Sequence, residues 1–178
     1  MSSRSQYTEK TGSINLDKIA GFAFDNVAIA NGISGTGSSI FEDADNVKRM
    51  DSCLAHSTHP TISGLYHYNS FGTCMKPSSK TSTTQAPSMC EKEVNCKDDN
   101  SDAFAFALSL SQIAKQVVPV GLARDGHMIV GPYNASGELW TCEDRDICNG
   151  VFVNNAYAYA LSQNFPYTVG CWGPAQEA

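Results

Sequence analysis

Charge is scarce in this 178-residue chain: Asp, Glu, Lys and Arg together make up 17%, against roughly a quarter in an average soluble domain. The balance is negative, with a formal net charge of −6, so the basic face that nucleic-acid binding needs is missing. No apolar run approaches the roughly 18 residues of a membrane-spanning helix. Met1–Lys18 lacks the apolar core of a secretion signal, so either a leader has been removed or the chain is a segment of a longer product. No Cys-x-x-Cys pair occurs, which argues against a zinc knuckle or a thioredoxin-type redox site. No Gly-x-Ser-x-Gly elbow occurs either, and the Gly-rich stretch at 32–39 lacks the Lys-Ser/Thr ending of a phosphate loop.

What is present is apolar and polar-uncharged. Hydrophobic residues make up 42% and aromatics 10%, enough to build one domain with a core. Seven cysteines without metal spacing point to disulfides and an oxidising compartment, hence an extracellular or cell-surface location. An odd count leaves one thiol over.

The chain repeats itself. Residues 21–29 (GFAFDNVAI) and 121–129 (GLARDGHMI) agree at four of nine positions, and each carries a two-residue step, Asp25-Asn26 or Asp125-Gly126, between short apolar stretches. These residues tolerate positive φ, so two β-hairpins with type I′ turns are expected at Asp25-Asn26 and Asp125-Gly126. Downstream, Tyr66-His67-Tyr68 lies between Cys53 and Cys74, and Tyr157-Ala158-Tyr159 between Cys148 and Cys171. Equivalent positions in two copies should bridge equivalently, giving Cys53–Cys74 and Cys148–Cys171. Cys90 and Cys96 would then close a small ring, leaving Cys142 over. Along each Tyr-x-Tyr strand the two rings share one face.

Between the copies, residues 77–99 are rich in Ser, Thr, Lys and Pro and read as an insertion loop. Asn100-Ser101-Asp102 then suits a helix cap, and Phe106, Leu110, Ile113, Ala114 and Val117 follow helical spacing up to Pro119, which predicts a helix over 103–118. A second short helix near 41–50 is a weaker expectation. The expected architecture is mainly β with a minor α component. It comprises an extended arm over 1–17 and a single domain over 18–178 made of two pseudo-repeated hairpin halves.

Gly21–Ile29, Gly64–Tyr68, GLARDGHMIVGPY at 121–133, DICNG at 146–150 and FPYTVGCWGP at 165–174 together resemble the YHYH domain family, named for a Tyr-His-Tyr-His motif. The resemblance spans about residues 18–174 and implies a secreted or surface protein, of a family whose biochemical activity is poorly defined. Here the motif reads Tyr66-His67-Tyr68-Asn69, and its second copy reads Tyr157-Ala158-Tyr159-Ala160 with no histidine.

Four histidines remain, His56, His59, His67 and His127. His56, His67 and His127 would suit copper or zinc if the two halves packed face to face; satisfied or solvated histidines are the alternative. Asp98, Asn100 and Asp102 imitate the start of a calcium loop, but Ala103 and Ser109 stand where its Gly and Glu belong. The run Glu143–Asp146 reads as a solvated turn. Asn134-Ala135-Ser136 is a glycosylation sequon. The function expected is an extracellular, non-enzymatic structural or surface module without a cofactor. It self-associates into an oligomer or polymer, a filament if the arm pairs with a neighbour's sheet edge. A copper- or zinc-dependent protein is the first alternative. A glycan-binding module using Trp140 and Trp172 is the second.

Overall fold

The computed structural model describes residues 12–13, 19–34, 39–42, 49–51, 53–57, 64–72, 74–75, 108 and 113–173. The insertion at 77–99 with Cys90 and Cys96, the Asp98–Asp102 cap, His59 and most of the arm lie outside them. The described residues form ten strands: β1 Gly12–Ser13, β2 Ile19–Ala23, β3 Ala28–Ala30, β4 Ala55–His56, β5 His67–Tyr68, β6 Pro119–Ala123, β7 Met128–Val130, β8 Gly150–Val153, β9 Ala156–Ala160 and β10 Cys171–Trp172. The protein is mainly β, with an eight-stranded sheet ordered β4-β5-β3-β2-β6-β7-β9-β8 and a two-stranded sheet of β1 with β10.

That strand order is a palindrome of the sequence repeat. Each half is an antiparallel hairpin (β2-β3, β6-β7) whose second strand takes a parallel neighbour (β5, β9), which in turn pairs antiparallel with the strand before it (β4, β8). The halves meet where β2 runs antiparallel to β6, about a pseudo-two-fold axis. The chain crosses there so closely that a Cβ on Gly21 would sit 2.4 Å from the Leu122 carbonyl oxygen, and one on Gly121 2.5 Å from that of Phe22. This close approach explains the shared glycine. Phe24 and Arg124 donate their amides to Val120 and Ala20 across the axis, at 2.9 Å in both cases.

The expected type I′ geometry is corrected. In each hairpin the 1→4 turn bonds run from Asn26 N–H to Ala23 O and from Gly126 N–H to Ala123 O, so Phe24-Asp25 and Arg124-Asp125 are the central pairs. Only Asn26 and Gly126 have positive φ, 69° and 92°. These are three-residue loops closed by one left-handed residue. The aspartates instead cap the turn from within, accepting from Val27 N–H and His127 N–H.

The helix expected over 103–118 is also corrected in its described part. Leu108 is helical, but residues 113–118 are not. Gly131 N–H already binds Val118 O, so the chain is extended into β6 before Pro119. Ile113 and Val117 do pack against the two core clusters; their spacing recorded burial, not helix. Of the short helix near 41–50, Phe41 and Glu42 form a turn and Arg49 alone is helical; 43–48 lie outside the described residues.

One core cluster gathers Ala20, Ala23, Ile29, Val120, Ala123 and Ile129 beneath the sheet, with Tyr68 and Tyr159. A smaller one lies on the opposite face of the second half, made of Val130, Trp140, Val151, Ala158 and Ala160. Disulfides join Cys53 to Cys74 and Cys148 to Cys171, with Cα atoms 5.3 and 4.6 Å apart. Each ties the loop before an outer strand pair to the chain that follows it, restricting the unfolded chain over 21 or 23 residues.

Candidate functional site

The Tyr-His-Tyr-Asn segment divides by strand alternation. Tyr68 packs in the main core, Tyr66 lies beside it but 38% exposed, and His67 points to the opposite face. Tyr68 donates its phenol to Asp25 at 2.7 Å and Tyr66 donates to Asp51 at 2.5 Å. In the second copy Tyr159 donates to Asp125 at 2.5 Å and Tyr157 to Asp146 at 2.7 Å. The second oxygen of Asp51 accepts the amides of Cys53 and Ala55, as that of Asp146 accepts those of Cys148 and Gly150. Each phenol therefore links a strand to a turn. Burial first, and the hydrogen bond to a carboxylate second, push all four tyrosines well above their usual pKa. Repeated in both halves, these pairs belong to the frame.

The outer side is where the copies part. One row of side chains runs in register across eight strands: His56, His67, Ala28, Phe22, Leu122, Met128, Ala158 and Val151. At its first end His56 and His67 are 3% and 0% exposed, with ring centroids 4.8 Å apart. His67 Nδ1 lies 2.7 Å from the Leu65 carbonyl oxygen. A carbonyl only accepts, so Nδ1 carries a proton. Asn69 and Ser70 are fully buried, and among the described residues neither Asn69 amide atom nor the Ser70 hydroxyl has a hydrogen-bond partner. At the other end the equivalents of His56, His67 and Asn69 are Val151, Ala158 and Ala160, packed under Trp140.

His127 is not part of this group. It precedes β7, on the far side of β3, β2 and β6, and its ring rests on Tyr157 and Tyr159 at 5.0 and 5.8 Å. Its Nδ1 lies 3.1 Å from Asp125 Oδ2. The expected convergence of His56, His67 and His127 is corrected: the halves lie side by side in one sheet, not face to face. Among the described residues no three His, Cys, Asp or Glu side chains group as metal ligands.

The run Glu143–Asp146, expected to be solvated, is corrected in its second half. Arg145 is buried, donating from Nε to Thr141 O and from Nη1 to Asn149 Oδ1 and Ser162 Oγ. Asn149 in turn donates to the carbonyls of Ala160 and Thr168. Burial lowers the guanidinium's pKa from its usual value, opposed by the nearby Cys142. Cys142 is a free, exposed thiol, within 3.5 Å of Asn164 Nδ2. The tryptophans expected to bind glycans are not exposed: Trp140 is buried with its indole N–H on Gly131 O, and Trp172 is half-buried. Asn134 opens a tight turn, its Oδ1 accepting from Ser136 and Glu138 amides.

Exposed apolar groups collect at the centre of the outer face. Phe22, Phe24, Leu122 and Met128 are 52, 50, 48 and 40% exposed, and Phe22, Leu122 and Met128 are direct cross-strand neighbours. Strand alternation in β2 and β6 was the signal that would have found this patch in the sequence. Comparison with protein-family models, curated proteins and solved structures finds no match, so the YHYH resemblance rests on the quoted motifs.

Proposed function

We propose that the chain is an extracellular, non-enzymatic structural module that assembles with copies of itself through the centre of its outer sheet face. The carrying observation is the apolar patch of Phe22, Phe24, Leu122 and Met128, astride the pseudo-two-fold axis. Phe22 and Leu122 correspond across that axis, and such a patch is suited to isologous pairing, in which each copy offers the same surface. Burying four half-exposed apolar side chains per copy contributes roughly 1 kcal/mol each. Where the first half has Phe24 the second has Arg124, at the opposite end of the patch because β2 and β6 are antiparallel. A two-fold pairing with its axis across the strands brings Phe24 over Arg124 of the second copy, a cation–π contact made twice.

Two disulfides support an oxidising, extracellular setting, as does the YHYH resemblance. No helix among the described residues is long and apolar enough to cross a membrane. The non-enzymatic reading is supported by the motif's carboxylates, each holding a phenol and turn amides. The sequon at Asn134 is read as a glycan acceptor on an exposed turn. A second arrangement rests on β1: Gly12 and Ser13 of the arm pair with Trp172 and Cys171 of their own chain, and exchange of that pairing between copies gives a head-to-tail filament.

Light scattering of the full chain tests both. Oligomers that become monomeric on Leu122→Asp but survive deletion of residues 2–17 support the patch; the converse supports the arm. A parent that stays monomeric at about 100 μM overturns self-assembly.

A further inference from the structure

We infer that the first copy holds one divalent transition-metal ion, Zn²⁺ or Cu²⁺, between His56 and His67, with Asn69 supplying an oxygen. The inference stands independently of the assembly proposed above.

The histidines are a directly opposed cross-strand pair, both buried, and the Leu65 carbonyl holds the His67 ring from its Nδ1 side. A backbone carbonyl in that position is the usual orienting partner of a ligating imidazole. The ring separation fits one shared ion. With a metal–nitrogen distance of ~2.05 Å and about 1.15 Å from nitrogen to ring centre, centroids 4.8 Å apart correspond to an angle of roughly 100° at the metal. That suits a tetrahedral or square-based ion and is far from the linear geometry of a two-coordinate one. Asn69 lies one residue past the end of β5 and matches Ala160 of β9, its backbone amide bonding Leu54 O as that of Ala160 bonds Asn149 O, which puts it on the side of His67. It is fully buried, and among the described residues both its amide atoms and the Ser70 hydroxyl are unpartnered. Buried polar atoms in a folded protein nearly always have a partner, and two adjacent exceptions point to one that is not part of the chain.

The second copy provides the control. The same strands carry Val151, Ala158 and Ala160 at these positions and pack apolar, so the fold itself does not demand histidine or asparagine there. Its own buried polar groups, Arg145, Asn149 and Ser162, bond to one another and to backbone carbonyls. Among the described residues, the second copy's buried polar atoms without a hydrogen-bond partner are the ring nitrogens of His127, whose Nδ1 stands 3.1 Å from Asp125, whereas in the first copy the unpartnered atoms of Asn69 and Ser70 are neighbours in the chain.

The test is equilibrium dialysis of the chelator-stripped full chain against Zn²⁺ and, separately, Cu²⁺, with bound metal counted by atomic emission. One equivalent of at least one metal is expected, with affinity falling at least tenfold in His56→Val and in His67→Ala and unchanged in His127→Val, which installs the first copy's residue. Electron paramagnetic resonance of the Cu²⁺-loaded parent gives an answer even if a variant does not fold, and two imidazole nitrogens are expected when copper binds. Absence of a stoichiometric site for either metal overturns the inference, as does binding indifferent to both His56→Val and His67→Ala.

Discussion

The two halves of this molecule share a frame and exchange their polarity. In the second, the outer face is apolar (Val151, Ala158, Ala160) and a closed polar network of Arg145, Asn149 and Ser162 lies beneath the strand ends. In the first, the residues that correspond to that network, Met50, Leu54 and Phe71, belong to the apolar core, and the outer face carries His56, His67 and Asn69. What both halves keep is what the fold requires: the Asp–Tyr pairs, the crossing glycines, the disulfides, and a left-handed residue at 26 and 126 and at 54 and 149. What only one half has is free for function.

The largest expected effect tests the shared part. Tyr68, Tyr157 and Tyr159 are buried phenols with raised pKa. A raised folded pKa means their contribution is complete below the unfolded value near 10 and is lost as pH climbs past it, by about 1.4 kcal/mol per pH unit for each. Absorbance at 295 nm should therefore show these phenols ionising together with unfolding, at one alkaline midpoint. Separate ionisation of the two halves before unfolding would break the shared frame.

Next in size is Asn149→Leu, which installs the first half's residue in the second. Arg145 then keeps its buried charge without its side-chain amide acceptor, and urea unfolding should show a loss of about 3 kcal/mol or more. A smaller, symmetric loss is expected from Asp25→Ala and Asp125→Ala, about 2 kcal/mol each; a difference above about 1 kcal/mol would show that one pair is not structural. Smaller again is Gly126→Val. Space around Gly126 is open and its φ is 92°, so the loss, about 1–2 kcal/mol, comes from the backbone alone. Gly126→Asn, copying Asn26, should melt close to the parent.

Much of this frame was legible in the sequence, because the repeat was. Gly21–Ile29 against Gly121–Ile129 located both central hairpins, and the matched Cys and Tyr-x-Tyr positions located the disulfides and the strands between them. The turn type was missed because Asp25 and Asp125 tolerate positive φ but are used here for their carboxylates. The helix over 113–118 was misread because Ile113 and Val117 serve two different clusters, which mimics helical spacing. The candidate site was half legible: His56 and His67 were singled out, but His127 joined them only on the assumption that the halves face each other. Arg145 was hidden in a run of charges that looked solvated, and Asn69 looked like decay of a motif.

The account turns on whether His56, His67 and Asn69 serve the fold or a ligand. The most direct measurement is the thermal midpoint, in chelator, of the full chain carrying His56→Val, His67→Ala and Asn69→Ala together, which gives the first half the outer residues of the second. If the group is there for a ligand, the variant melts no lower than the parent. A midpoint lower by more than about 5 °C, some 2 kcal/mol for a chain of this size, would mean that the group holds the fold and would contradict the account.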